Sequence, residues 1–333
     1  MRSSRLSASR SPRLILAAAV ALALAIAPAA GAGQPGGTPA GEAPPPPSNP
    51  TPGSYAVGTR TLRLLDTSRT IRLAGGRVVP RTLQTVVRYP AAGPLGGANA
   101  PPSAVGAPFP VVVFAHGFAV TPAIYSALLN SWARAGYLVV APVFPLENAN
   151  APGGPKESDL VNEPGDISFV ISQILAASAG AGPLHGLADP SHIAVAGQSD
   201  GGEAALASAC GRRTLDPRIG AALILSGAEM SGVGGYAFAR CPPLLAVQGT
   251  ADRFNEPRFT YAYFRAAHRP KYLLRLIGAG HLGPYTSEQP QLGVVERASR
   301  AFLDAYLKGA TTALAGLASL PGWTWLEELR PLK

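Results

Sequence analysis

The stretch Ile193-Ala-Val-Ala-Gly197-Gln198-Ser199-Asp200-Gly201-Gly202-Glu203-Ala-Ala-Leu206 limits the fold more than any other part of this chain. Residues 193–196 carry no polar side chain, so the run that starts at His192 reads as a strand covered on both faces. The small residues that follow Gly201 read as a helix over 201–210. Between strand and helix lies G-x-S-x-G, with Ser199 at its centre. The flanking glycines leave room for a tight turn with one residue held in an unfavourable backbone conformation. A strand buried on both faces belongs to a parallel sheet clad by helices, so this segment alone points to an α/β architecture.

The rest of the chain agrees. Residues 61–65 and 82–89 alternate in part, as half-exposed strands do, and suggest an antiparallel edge. Residues 91–109 are rich in Gly, Pro and Ala and read as a loop. Residues 111–114, 137–141, 221–225, 244–247 and 272–277 read as further strands. Helical spacing joins Ile124, Leu128, Leu129 and Trp132, and again Ile167, Val170, Ile171, Ile174 and Leu175. A last helix is expected over about 294–307. No linker divides residues 55–333, which read as one domain with a mostly parallel central sheet and helices on both faces.

The N-terminus reads differently. Arg2, Arg5, Arg10 and Arg13 precede an apolar run over 14–26, and small residues follow through Ala32. That is the order of a secretory signal, expected to occupy residues 1–32. The alternative, a membrane anchor, needs a run of about 20 residues, and this one is shorter. No other window is long and apolar enough for stable membrane insertion. Residues 33–54 form a Pro/Gly-rich linker, and order should begin near Tyr55. An exported chain carries its cysteines in an oxidising compartment, so Cys210 and Cys241 are read as one disulfide, with two buried thiols as the alternative. No His or Cys is spaced beside them as a zinc set, so no metal is expected. The net charge of +9 is partly local to the leading arginines, and no basic stripe with interleaved aromatics accompanies it. Nucleic acid is therefore not an expected partner. With 47% apolar and 14% charged residues the chain is not a disordered one.

Strand–G-x-S-x-G–helix is the context a nucleophile elbow requires. A serine hydroxyl needs a base to take its proton and a carboxylate to orient that base. In parallel sheets, reactive groups gather at the carboxyl ends of strands. His116 and His281 both follow strands, and only His281 comes after Ser199. Asp252 follows the strand over 244–247 and a tight turn. Asp216 precedes its strand and reads as a surface turn residue, while Glu229 is the reserve acid. Ser199, Asp252 and His281 are thus the catalytic candidates, with His281 as base and Asp252 as its partner. The backbone N–H groups of Asp200 and Phe118 are the candidate oxyanion donors. His116 is read as structural, and the Phe118 ring as a wall of the acyl site. No cofactor is needed.

These residues also carry a resemblance. The segments 58–69, 81–90, 109–118, 135–145 and 159–166, the elbow, Gly249-Thr-Ala-Asp252 and Gly280-His281 resemble secreted serine esterases of the α/β-hydrolase fold. Dienelactone-hydrolase-like, platelet-activating-factor-acetylhydrolase-like and chlorophyllase-like esterases are the nearest in pattern, and cutinase-type polyester hydrolases are also similar. The resemblance spans about residues 55–310. It implies a carboxylic-ester hydrolase acting through an acyl-enzyme on a small-molecule or polymeric ester. A non-catalytic secreted binding protein and a serine peptidase are the other readings of the same fold. Two positions depart from the family. Asp200 stands where such enzymes more often carry an apolar residue or histidine, and its carboxylate is expected to turn toward the helix N-terminus. The stretch 226–235 lacks the aromatic residue common in cutinase-type enzymes, leaving Met230 to line the site. Residues 226–243 are too few for a large lid, so an open cleft is expected. The oligomeric state stays open.

Overall fold

In the computed structural model the described residues are 54–73, 75–319 and 324–325. The signal over 1–32 and nearly all of the linker over 33–54 lie outside them. The strands, in chain order, are β1 (Ala56–Arg72), β2 (Val78–Ala91), β3 (Gly97–Ala98), β4 (Phe109–Ala115), β5 (Leu138–Val143), β6 (Ala188–Gln198), β7 (Ile219–Leu225), β8 (Leu244–Gly249), β9 (Lys271–Leu276) and β10 (Thr324–Trp325). The helices are α1 (Ser126–Arg134), α2 (Glu163–Ala179), α3 (Asp200–Cys210), α4 (Pro257–Ala266), α5 (Gly283–Thr286) and α6 (Gln291–Leu307).

Strand β4 shows why the apolar runs make the sheet's centre. All its residues are buried. Val111 and Val113 enter one core and Val112 and Phe114 the other, as the two-residue side-chain period dictates. Strand β6 repeats this with Ile193 and Val195 against Ala194 and Ala196. Helices α2, α3 and α4 cover the first face, and α1 and α6 the second. The strands run in the order β10-β9-β8-β7-β6-β4-β5-β2-β1-β3. From β5 to β9 every pairing is parallel. Strand β2 pairs antiparallel with both β5 and β1, so the alternating segments form the antiparallel end of the sheet as expected.

Several elements differ from the sequence reading. The β1–β2 hairpin runs well beyond 61–65 and 82–89, because backbone pairing extends strands whose side chains are too polar to announce them. Strand β3 lies within the expected loop over 91–109. Helix α2 begins at Glu163, ahead of the first periodic apolar residue. Helix α4 was not expected at all; it buries only Thr260, Tyr263 and Phe264, too narrow a stripe to read. Asp216 is no surface residue. It is 6% exposed, and its carboxylate takes Arg218 and the Ser168 hydroxyl at the edge of the sheet opposite Ser199.

Two devices tie the layers. Arg81 of β2 is buried and bonds Asp159 and Asp166 through paired contacts of 2.6–3.1 Å. Burial would lower its pKa, but the two carboxylates raise it. Arg69 pairs with Asp66 and with Asp166, so the polar motifs over 58–69, 81–90 and 159–166 form one network that anchors α2 to the hairpin. Cys210, at the end of α3, is bonded to Cys241, ahead of β8. Both lie at the edge opposite the elbow. Closing a loop of this length contributes about 3–4 kcal/mol.

Candidate active site

The elbow forms because two glycines have no space for a side chain. A Cβ at Gly197 would lie 2.0 Å from the Gly201 carbonyl oxygen, and one at Gly201 would lie 2.2 Å from that of Ala115. Between them Ser199 adopts φ 58° and ψ −125°, a strained conformation for a residue with a side chain. This lifts its side chain above the carboxyl end of β6 at the start of α3.

Three chain-distant residues converge there. His281 Nε2 lies 2.9 Å from Ser199 Oγ, and His281 Nδ1 lies 2.7 Å from Asp252 Oδ2. Asp252 is caged. Its Oδ1 accepts the backbone N–H groups of Phe254 and Asn255 at 2.9 and 3.0 Å, and Gln248 Nε2 donates to Oδ2 at 3.2 Å. Burial would raise its pKa, but the hydrogen bonds and the charge of His281 hold it below the ordinary value. An ionised Asp252 fixes the imidazole with a proton on Nδ1, which leaves Nε2 free to accept from the serine. Gln198 Nε2 donates to the His281 backbone carbonyl at 3.0 Å and holds the histidine loop from beneath.

The loop after β4 lies against the nucleophile. A Cβ at Gly117 would come within 3.1 Å of Ser199 Cβ, so only glycine lets the Phe118 backbone approach this closely without displacing its neighbours. His116 is fully buried. Its Nδ1 lies 2.8 Å from the Gly117 carbonyl, and its Nε2 accepts the Phe144 N–H at 3.0 Å. Burial pushes its pKa down to about 4, despite the opposing bond to Gly117. It is therefore a neutral structural ring, as expected. Ala119 continues the loop at φ 57° and donates its N–H to the Glu147 carbonyl at 2.9 Å.

Asp200, the first residue of α3, is almost wholly buried. Its carboxyl and that of Glu163 both lie close enough to Glu147 to act on its titration. Glu147 and Glu163 are both wholly buried. Burial, reinforced by neighbouring carboxylates, raises the pKa of both well above the ordinary value. Glu147 and Glu163 thus keep their protons well above the ordinary carboxylate range, near Asp200.

The remaining expectations divide. Phe118 is half-buried at the mouth. Met230 is not a cleft residue: it is 5% exposed and packs in the core with Val233 and Tyr236, because the Tyr236 hydroxyl accepts its backbone N–H and draws it inward. Glu229 is exposed and does not touch His281. The sequence reading missed Phe254, which is 66% exposed with its ring 5.2 Å from that of His281. Nothing in its local pattern marks it. Gln248 was findable, as a lone amide at the carboxyl end of an apolar strand. Among the described residues no cluster of His, Cys, Asp or Glu is arranged to hold a metal ion.

Sheet order, elbow and site together define a protein of the α/β-hydrolase fold carrying a serine–histidine–aspartate array. Residues 94–247, somewhat under half of the chain, match the family model Chlorophyllase. Chlorophyllase-1 of Arabidopsis thaliana is 38% identical over 112 residues, which are 33% of this chain and 32% of that protein. The match thus spans about a third of the relative's length. A ferulic acid esterase from Streptomyces cinnamoneus superposes with a TM-score of 0.58 at 22% identity, over 77% of this chain and 91% of that one, and shows the fold. The family match includes Ser199 and the 116–118 loop but ends before Asp252 and His281, which only the tertiary geometry brings to the serine. No helix among the described residues is long and apolar enough to cross a membrane.

Proposed function

We propose that this chain is an exported serine hydrolase that cleaves carboxylic esters through an acyl-enzyme. The carrying observation is the unbroken relay from Asp252 through His281 to Ser199, at 2.7 and 2.9 Å. His281 Nε2 takes the serine proton as Oγ attacks the ester carbonyl. Asp252 stabilises the imidazolium. The N–H groups of Phe118 and Asp200 receive the oxyanion. His281 returns the proton to the departing alcohol, and a water deprotonated by the same nitrogen then releases the acid and frees the serine. The chlorophyllases matched in sequence and the esterase matched in fold support ester chemistry. The apolar run over 14–26 and the Cys210–Cys241 bond support export.

The substrate class follows from the mouth of the site. Phe254, whose ring lies 5.2 Å from that of His281, and Leu282, the next residue after His281 in the chain, are both exposed, and residues 226–243 carry no α-helix that could fold over the site. Such an open, apolar rim suits short-chain, bulky or polymeric esters, polyesters included, better than a long chain drawn into a tunnel. Hydrolysis of p-nitrophenyl esters from acetate to palmitate tests the reading. Turnover should be greatest on short chains and fall about 10⁴-fold or more in Ser199→Ala. A folded protein that cleaves none of them refutes it in favour of a binding role.

A further inference from the structure

A groove of about 750 Å³ opens on the α1 face of the sheet, where β1, β2 and β5 run beside the start of α1. Ser199, Asp252 and His281 take no part in it. Register places Arg63 opposite Gln84 and Thr61 opposite Val86. Directly opposed residues share a face, and Arg88 lies two positions beyond Val86 on the same face of β2. Ser126 of α1 and Asn148 close the sides. Among the described residues no acidic side chain lines the groove.

Arg88 is the feature that needs an account. It is 6% exposed. Its Nη2 makes one long contact of 3.3 Å to the Ser126 hydroxyl, and its Nη1 is buried without an acceptor. Among the described residues no carboxylate lies within ion-pair distance of it. Burial lowers its pKa, and no carboxylate offsets that shift. Arg81, on the same strand, is saturated by two aspartates; Arg88 has none. A buried cation without a partner is costly, and folded proteins seldom carry one unused. Val86, Pro122 and Val143 give the same groove an apolar wall.

We propose that this groove binds an organic carboxylate, with the acid on the Arg88 guanidinium and the apolar body against Val86 and Pro122. The planar fork of arginine matches a carboxylate, and the hydroxyls and amides around it supply further donors. The site is separate from the triad and does not depend on the ester-hydrolase reading. Isothermal titration with benzoate at constant ionic strength tests it, with benzamide as the neutral control. Wild-type protein should bind benzoate and not benzamide, and Arg88→Met should weaken benzoate by roughly tenfold or more. The unliganded Arg88→Met protein should also melt higher, because it no longer buries an unpaired charge. Should that variant fail to fold, Arg63→Gln at the exposed end of the groove is expected to weaken benzoate by a smaller factor. Benzoate affinity unchanged by either substitution places any binding elsewhere, the active cleft included, and overturns the proposal, as does a wild-type protein that binds no benzoate.

Discussion

Replacing Glu147 by glutamine exchanges a buried acid for an amide of the same shape. Glu147 is wholly buried between Glu163 and Asp200, and its carboxyl is held protonated well above its ordinary value of 4.5. The unfolded chain releases that proton once the pH exceeds the ordinary value, while the folded chain keeps it. Each such proton makes unfolding easier by about 1.4 kcal/mol per pH unit as the pH rises, until the folded carboxyl itself ionises. Glutamine does not titrate, so the variant escapes this decline. Between pH 5 and pH 8 the unfolding free energy of Glu147→Gln should therefore gain about 4 kcal/mol relative to wild type. Titrating groups remote from the cluster are common to both proteins and cancel in the difference; Glu163, whose pKa Glu147 helps to raise, does not, and the same series on Glu163→Gln and on the double variant separates its share. Urea unfolding at pH 5, 6, 7 and 8 measures it. A difference that stays constant across the series would mean that Glu147 is ionised in the fold, and the protonated cluster beneath Asp200 would have to be abandoned.

The acid side has an opposite dependence at His116. Its folded pKa is lowered from 6.5 to about 4, so the stability it contributes is complete above pH 6.5 and is lost as the pH falls toward 4. The loss amounts to about 3 kcal/mol, and the pH series of His116→Gln should lack it. Gly201→Ala forces a Cβ to within 2.2 Å of the Ala115 carbonyl oxygen, in the wall of the elbow. It is expected to cost about 3 kcal/mol or to prevent folding, read from its urea midpoint or from its soluble yield. Phe254→Ala should raise KM for aromatic esters severalfold with kcat nearly kept, because the ring borders the cleft without entering the relay; a fall in kcat alone would place the ring in His281 positioning instead.

The two glycines around Ser199, the apolar runs and their spacing were enough to determine the class of fold and to name the candidate serine, histidine and aspartate that the fold brings together. Each signal is local: a strand buried on both faces must be apolar throughout, and a turn this tight must be bracketed by glycine. The sequence also marked Cys210 and Cys241 as a candidate bond, since two cysteines in a chain read as exported have few alternatives. The limits of the β1–β2 hairpin were not legible, because its length rests on backbone pairing of polar residues. Helix α4 was hidden by the narrowness of its buried stripe. Met230 was assigned to the cleft on loop position alone, and only the Tyr236 hydroxyl, six residues on, shows why it turns into the core. Glu147, Glu163 and Asp200 lie far apart along the chain and look like ordinary surface acids. Their pKa values depend on burial and on one another, which no local pattern encodes. Arg81 and Arg88 sit seven positions apart on one strand. Which of them meets carboxylates and which is left without them was decided by the placement of α2 on one face of the sheet and the open groove on the other.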